Sequence, residues 1–198
     1  MEGADIDRGE LSDEERHLIA PCGIYCGACD LLLGNSRNLA REMHRILHGF
    51  NMADVGPFIM GIDHEKVLEF LNTLDKWGQG KRCPGCLLGG CTPFCSIRQC
   101  AHYRGFLTCA ECDAMPCNQT EQMPSPRAAL QYELVTRRYS TWNIRNLARI
   151  REIGYRRFVD EMREKVARGF LTSDVISREM VATDILSAMG DDSEVSKQ

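Results

Sequence analysis

Residues 81–117 read KRCPGCLLGGCTPFCSIRQCAHYRGFLTCAECDAMPC. This stretch holds eight of the chain's 11 cysteines and shows no sustained apolar periodicity. Its large apolar residues are Leu87, Leu88, Phe94, Ile97, Tyr103, Phe106, Leu107 and Met115. They are too few to stabilise a fold of this length by burial alone. A structural metal would supply what the core lacks, since zinc contributes about 10–16 kcal/mol of apparent binding free energy in small finger peptides.

Within the stretch, Cys83-Pro-Gly-Cys86 and Cys109-Ala-Glu-Cys112 are two C-x2-C knuckles separated by 22 residues. Two intervening residues let both sulfurs of a knuckle reach one ion, so a pair of knuckles suits a tetrahedral four-thiolate site. Cys91, Cys95, Cys100 and Cys117 remain, which is the number a second site requires. The division is open: Cys86 joins Cys91 equally well in a different set, and His102 could replace one sulfur. Four thiolates do not distinguish zinc from iron.

Upstream, Cys22, Cys26 and Cys29 form C-x3-C-x2-C in the run Pro21-Cys22-Gly23-Ile24-Tyr25-Cys26-Gly27-Ala28-Cys29. Its glycines and proline permit a tight backbone. Radical S-adenosylmethionine enzymes hold three irons of a [4Fe–4S] cluster at this spacing. The strands and length of the barrel that carries that chemistry are absent. A fourth ligand could be His17, His44, His48, His102 or Asp30, or water or substrate at an open position. The bland alternative for all of these cysteines is packing as small buried hydrophobes.

Outward from the cysteines the chain reads as helical. Leu39, Met43, Ile46, Leu47 and Phe50 recur at helical spacing and make one apolar face. Gly56-Pro57 and Gly61 interrupt the pattern. Asp63 is an N-cap for a helix carrying Val67, Leu68, Leu71 and Leu74 on one stripe, ended by Gly78-Gln79-Gly80. Ser125-Pro126 opens another helix, with Leu130, Leu134 and Val135 apolar. Thr141 starts the next, with Ile144, Leu147 and Ile150 inward and Arg145 and Arg149 outward. Gly154 stops or bends it, Phe158, Met162 and Val166 continue it, and Gly169 suits its C-terminal cap. A last helix is expected from about Ser173 to Met189. Strand signals are weak, so the expected fold is mainly α, with helices packed around a cysteine-rich, loop-dominated, metal-binding core. The expected organisation is an acidic disordered tail over 1–16, one cysteine-rich domain over 17–189 and a frayed tail over 190–198.

The 198-residue chain carries a net charge of -4, of which -5 lies in residues 1–16. Residues 137–168 are basic at +6, read as a solvated helix face rather than a nucleic-acid surface. The overall pI of about 5.8 also weighs against nucleic acid. No run approaches the ~18 apolar residues of a membrane span. The first sixteen residues have no apolar segment of a secretory signal. Eleven cysteines without an export signal point to a reducing compartment, the cytoplasm. His44 and His48 share a helix face but lie outside any HExxH. Glu111 could act as a base beside a metal, though a supporting or solvent-facing role is the plainer reading. Tyr25 and Tyr103 are expected to pack. No nucleophile elbow, kinase or dinucleotide signature is present.

The blocks APCGIYCGACDL, RCPGC, CSIRQCA, GFLTCAEC and MPC, followed by the helix NLARIREIG, resemble the cysteine-rich domain-of-unknown-function family 3795 over about positions 20 to 165. Members of that family have no established activity and are regarded as metal binders. The resemblance implies that Cys22, Cys26, Cys29, Cys83, Cys86, Cys91, Cys95, Cys100, Cys109, Cys112 and Cys117 are the positions that matter. Many members end in a further cysteine pair, whereas this chain continues as FVDEMREKVARGF, so a role carried by that pair is in doubt here.

The expected function is a cytoplasmic zinc-binding protein with two four-cysteine sites and a third, three-cysteine site, serving as a structural, interaction or regulatory module for a protein partner. The alternative is an iron–sulfur protein whose Cys22, Cys26 and Cys29 cluster transfers electrons or binds substrate. Nucleic acid and membrane are not expected partners.

Overall fold

A computed structural model describes residues 6, 8, 11–91, 94–115 and 126–177. Among these residues the protein is helical, with one isolated antiparallel bridge, Ile19 to Tyr25, in place of strands. Its contacts divide into two compact units, residues 30–83 and the remainder of the chain. The helices are α1 (Asp13–His17), α2 (Asp30–Leu33), α3 (Asn35–Gly49), α4 (Met52–Met60), α5 (His64–Gln79), α6 (Ser96–Tyr103), α7 (Pro126–Arg138) and α8 (Trp142–Ala167). None is long and apolar enough to cross a membrane.

The 30–83 unit contains α2 to α5, with α3 packed along α5. Asp63 caps α5 by accepting from the Glu65 N–H, as its position before the apolar stripe predicts. Gly56-Pro57 does not interrupt the chain; α4 runs through both residues. Pro57 is the sixth of its nine residues and cannot donate to the Ala53 carbonyl, which instead lies 2.7 Å from His64 Nδ1. The apolar stripe of α3 is not buried: Leu39 is 69% and Phe50 74% exposed, while Ala40 is buried. The helix is rolled so that Arg41 lies over α5, its Nε donating to the Gly78 carbonyl at 2.8 Å.

The other unit is organised by α8, which buries Asn143, Asn146, Leu147, Ile150, Tyr155, Phe158, Val159 and Met162. Gly154 stands at φ 78, ψ 169, outside helical geometry, so the buried face is carried across a kink from Leu147 and Ile150 to Tyr155, Phe158 and Met162. Gly169 (φ +94) follows the helix in the cap position read from the sequence. Within residues 1–16, expected as an acidic tail, α1 begins at Asp13. Ser12 and Glu15 form a capping box for α1. Glu15 is buried and ion-paired to Arg163 at 2.7 Å and to Arg156. These two guanidiniums account for part of the basic stretch of α8. Thr172–Val175 is a 3-10 turn and Ile176 is extended, so no α-helix starts at Ser173 as expected; residues 178–189 lie outside the described residues.

Candidate metal centre

Three cysteine-bearing turns are built from local hydrogen bonds. In the first, the Ala20 N–H donates to the Ile24 carbonyl at 2.8 Å and the Cys26 N–H to the Leu18 carbonyl at 2.7 Å. Cys26–Ala28 then forms a 3-10 turn closed by the Cys29 N–H on the Cys26 carbonyl at 2.9 Å. In the second, the Thr108 hydroxyl accepts from the Ala110 N–H at 3.1 Å and opens the 3-10 turn Cys109–Glu111. The Cys112 N–H closes it on the Cys109 carbonyl at 3.1 Å. The backbone angles at Cys29 (-86, 122) and Cys112 (-89, 121) are nearly the same, so Cys26–Cys29 and Cys109–Cys112 are one turn type used twice. The third, Cys86–Leu88, follows Gly85 at φ 94.

Helix α8 holds the first two turns. Asn143 Nδ2 donates to the Cys22 carbonyl at 3.3 Å, and Asn146 Nδ2 to the Gly23 carbonyl at 2.8 Å. Arg151 donates to the Ala110 carbonyl at 2.7 Å and the Cys112 carbonyl at 2.5 Å. The two turns also meet directly, the Cys109 N–H donating to the Pro21 carbonyl at 2.8 Å. Gly23 makes this closeness possible: at φ +93, an added Cβ would stand 2.6 Å from Leu147 Cγ and collide with the Asn143 carbonyl. Helix α6 holds the third turn, through Arg98 Nη1 on the Cys86 carbonyl at 2.9 Å. Cys95 sits at the N-cap of α6, and Ser96 N–H donates to Gln131 of α7 at 2.8 Å.

The thiols are electrostatically linked. Burial pushes Cys22 well above its ordinary range, and the neighbouring Cys86, Cys95 and Cys109 add to the rise. Burial likewise raises Cys26; the Cys86 N–H opposes the rise, and Cys86, Cys91 and Cys29 reinforce it. Cys86 is pushed up to about 11 by burial and by Cys95, against Arg98. Tyr139 is pushed up to about 12 by burial, with Cys91 and Cys22 contributing. Cys100 is raised by burial and by Cys112, with Arg104 opposing. Arg104 Nη1 also donates to Cys112 Sγ at 3.4 Å. Buried neutral thiols of this kind ionise when a metal cation replaces their protons, because the cation offsets both desolvation and mutual repulsion.

Cysteine thiolates are the donors that a thiophilic metal takes. Among the described residues, no three His, Cys, Asp or Glu side chains stand together at ligating distance. The links among the thiols are pairwise and assemble no ligand set among the described residues.

Cys95 and Cys91 contribute to the rise at Cys86, and Cys112 to the rise at Cys100. Cys83 ends the 30–83 unit, its N–H donating to the Leu31 carbonyl at 3.4 Å. His44 and His48 also belong to that unit, with ring centroids 5.7 Å apart on α3. Cys117 lies outside the described residues.

Glu111 is buried within the second turn, accepting from the Tyr155 hydroxyl at 2.8 Å, from Arg8 at 2.5 Å and from the Leu107 N–H at 3.4 Å. Thr108 Oγ1 lies 2.8 Å from the same Tyr155 hydroxyl. This network is a buried brace, the supporting role of the two read from the sequence. Tyr25 packs edge-on to Phe158, at 6.1 Å between ring centroids. Tyr103, expected to pack, is 91% exposed because it ends α6 on its outer side. The residues that sequence reasoning missed are Asn143, Asn146 and Arg151. Two asparagines in the same helical register as Leu147 and Ile150 were the signal, since an apolar face admits an amide only where it has a backbone partner.

No curated protein and no solved structure matches the chain. The family model described as "Protein of unknown function (DUF3795)" matches residues 18–122, a span containing all eleven cysteines and more than half of the chain. By that match the chain belongs to the DUF3795 family of proteins of unknown function.

Proposed function

We propose that this chain is a zinc-binding protein of the cytoplasm, in which thiolate-held metal stabilises the cysteine turns and the flanking helices form a structural or regulatory module for a protein partner. The observation that supports this reading is the repeated cysteine turn: Cys26–Cys29 and Cys109–Cys112 share one backbone geometry and are joined by the Cys109 N–H on the Pro21 carbonyl at 2.8 Å. Packing of buried thiols as small apolar groups does not by itself call for one turn geometry used twice with a cysteine at each end.

Zinc would be held by cysteines drawn from the eleven, and it would supply charge neutralisation and a rigid cross-link between turns. No reaction is assigned. Elemental analysis with acid-labile sulfide, on protein purified without oxygen, tests the reading. Zinc at two or three per chain without sulfide is the expected result. Iron with matching sulfide would replace it with a redox or cluster protein, and metal-free folded protein would leave only thiol packing.

A further inference from the structure

The 30–83 unit has little core for its size. Of its large apolar side chains only Val67 and Leu71 are buried. Units this small need a staple, a metal or a second chain to complete the core. The apolar surface left open is ordered by the helices. On α3, Leu39, Met43, Ile46 and Phe50 follow at intervals of four, three and four, the seam spacing at which two helices interlock, and they are 41–74% exposed. A different side of α3 meets α5, where Arg41 fills the space a side chain at Gly78 would take. Helix α4 starts two residues after Phe50, and Phe58, Ile59 and Met60 at its end are 58–90% exposed. At roughly 200 Å² for a large apolar residue, these fractions leave about 900 Å² open. The largest apolar patch of a monomer is about 300–600 Å², whereas a stable interface takes about 800 Å² from each partner.

Charge on this surface favours no foreign partner. Residues 30–83 hold seven Lys/Arg and seven Asp/Glu. On α3 itself, Glu42 and Arg45 already pair with each other at 2.5 Å. An acidic or basic partner would call for a face of opposite sign, but two copies of a neutral unit meet without repulsion. We propose that the α3 stripe and the end of α4 form a two-fold interface between two copies of this chain. The same patch serves both copies, so each supplies the apolar cover that the other lacks. The association needs no metal and stands apart from the thiolate reading.

Sedimentation equilibrium of the full chain, in a non-thiol reductant that prevents cross-linking through cysteine, reads this directly. The expected result is a dimer with a dissociation constant in the micromolar range or below. Leu39→Glu and Ile46→Glu each place a carboxylate in the seam and should weaken the dimer by ~30-fold or more. Both positions are exposed in the single chain, so helical circular dichroism and metal content should match the wild type. Tyr103→Glu, a comparable change at an exposed position of α6, should leave the constant unchanged. A wild type still monomeric at about 100 μM would overturn the interface, without touching the zinc reading that elemental analysis decides. A dimer that both Leu39→Glu and Ile46→Glu leave intact would overturn it as well. So would a dimer that EDTA dissolves while helix content is unchanged, since the contact would then belong to metal.

Discussion

Substituting Gly23 tests the join between the first cysteine turn and α8. Gly23 and Gly169 have almost the same backbone, φ +93 and φ +94, but opposite surroundings. An added Cβ at Gly23 meets the Asn143 carbonyl and Leu147 Cγ, whereas at Gly169 nothing lies within 4 Å. Both alanine variants carry the strain of a left-handed φ, of order 1–3 kcal/mol. Only Gly23→Ala adds overpacking against a rigid helix backbone, about a further 1–3 kcal/mol. With an m-value of roughly 2 kcal/mol/M, this excess lowers the urea midpoint of Gly23→Ala below that of Gly169→Ala by about 0.5–1.5 M. Tryptophan fluorescence in a Trp77→Phe background reports the relevant unit, since Trp142 is then the chain's only tryptophan. Equal midpoints for the two variants would refute the close approach of the turn to α8.

Two further outcomes follow from buried polar groups. The Arg156 and Arg163 guanidiniums, with the Ser12 N–H, hold the Glu15 carboxyl down at about 2, against an ordinary 4.5. A depressed carboxylate contributes stability that is complete above the unfolded value and lost as pH falls through the folded one. The wild type should therefore lose stability between about pH 4.5 and pH 2 more steeply than Glu15→Gln, as measured by thermal melts across that range; parallel curves would show that the ion pair is not formed. Tyr155→Phe removes the hydroxyl shared by Glu111 and Thr108. Leaving buried partners unsatisfied costs about 1–3 kcal/mol in chemical denaturation, and a change of only a few tenths would mean that this brace is absent.

What was legible in the sequence is local. The Asp63 cap, the Gly78–Gly80 stop, the helix from Trp142, the bend at Gly154 and the Gly169 cap are all set by neighbours a few positions away, and each lies where its residues place it. The apolar stripe of α3 shows the limit of such reading. Periodicity identifies the face, but the 30–83 unit leaves Leu39 and Phe50 exposed and turns Ala40 inward. Spacing likewise identified the cysteine turns as turns. It could not say which turns meet, because the Cys22 and Cys109 turns are joined by the Cys109 N–H on the Pro21 carbonyl and by α8, not by chain continuity.

The sequence by itself determined a helical chain with a cysteine-rich centre, since helix periodicity, caps and C-x2-C turns are short-range properties. Only the tertiary structure decided that Asn143 and Arg151 bind the backbone of two cysteine turns, and that Glu15 anchors α1 to α8. Those relations join residues as many as 148 positions apart. They follow from which buried backbone groups find donors on a packed helix, a condition that no local pattern encodes.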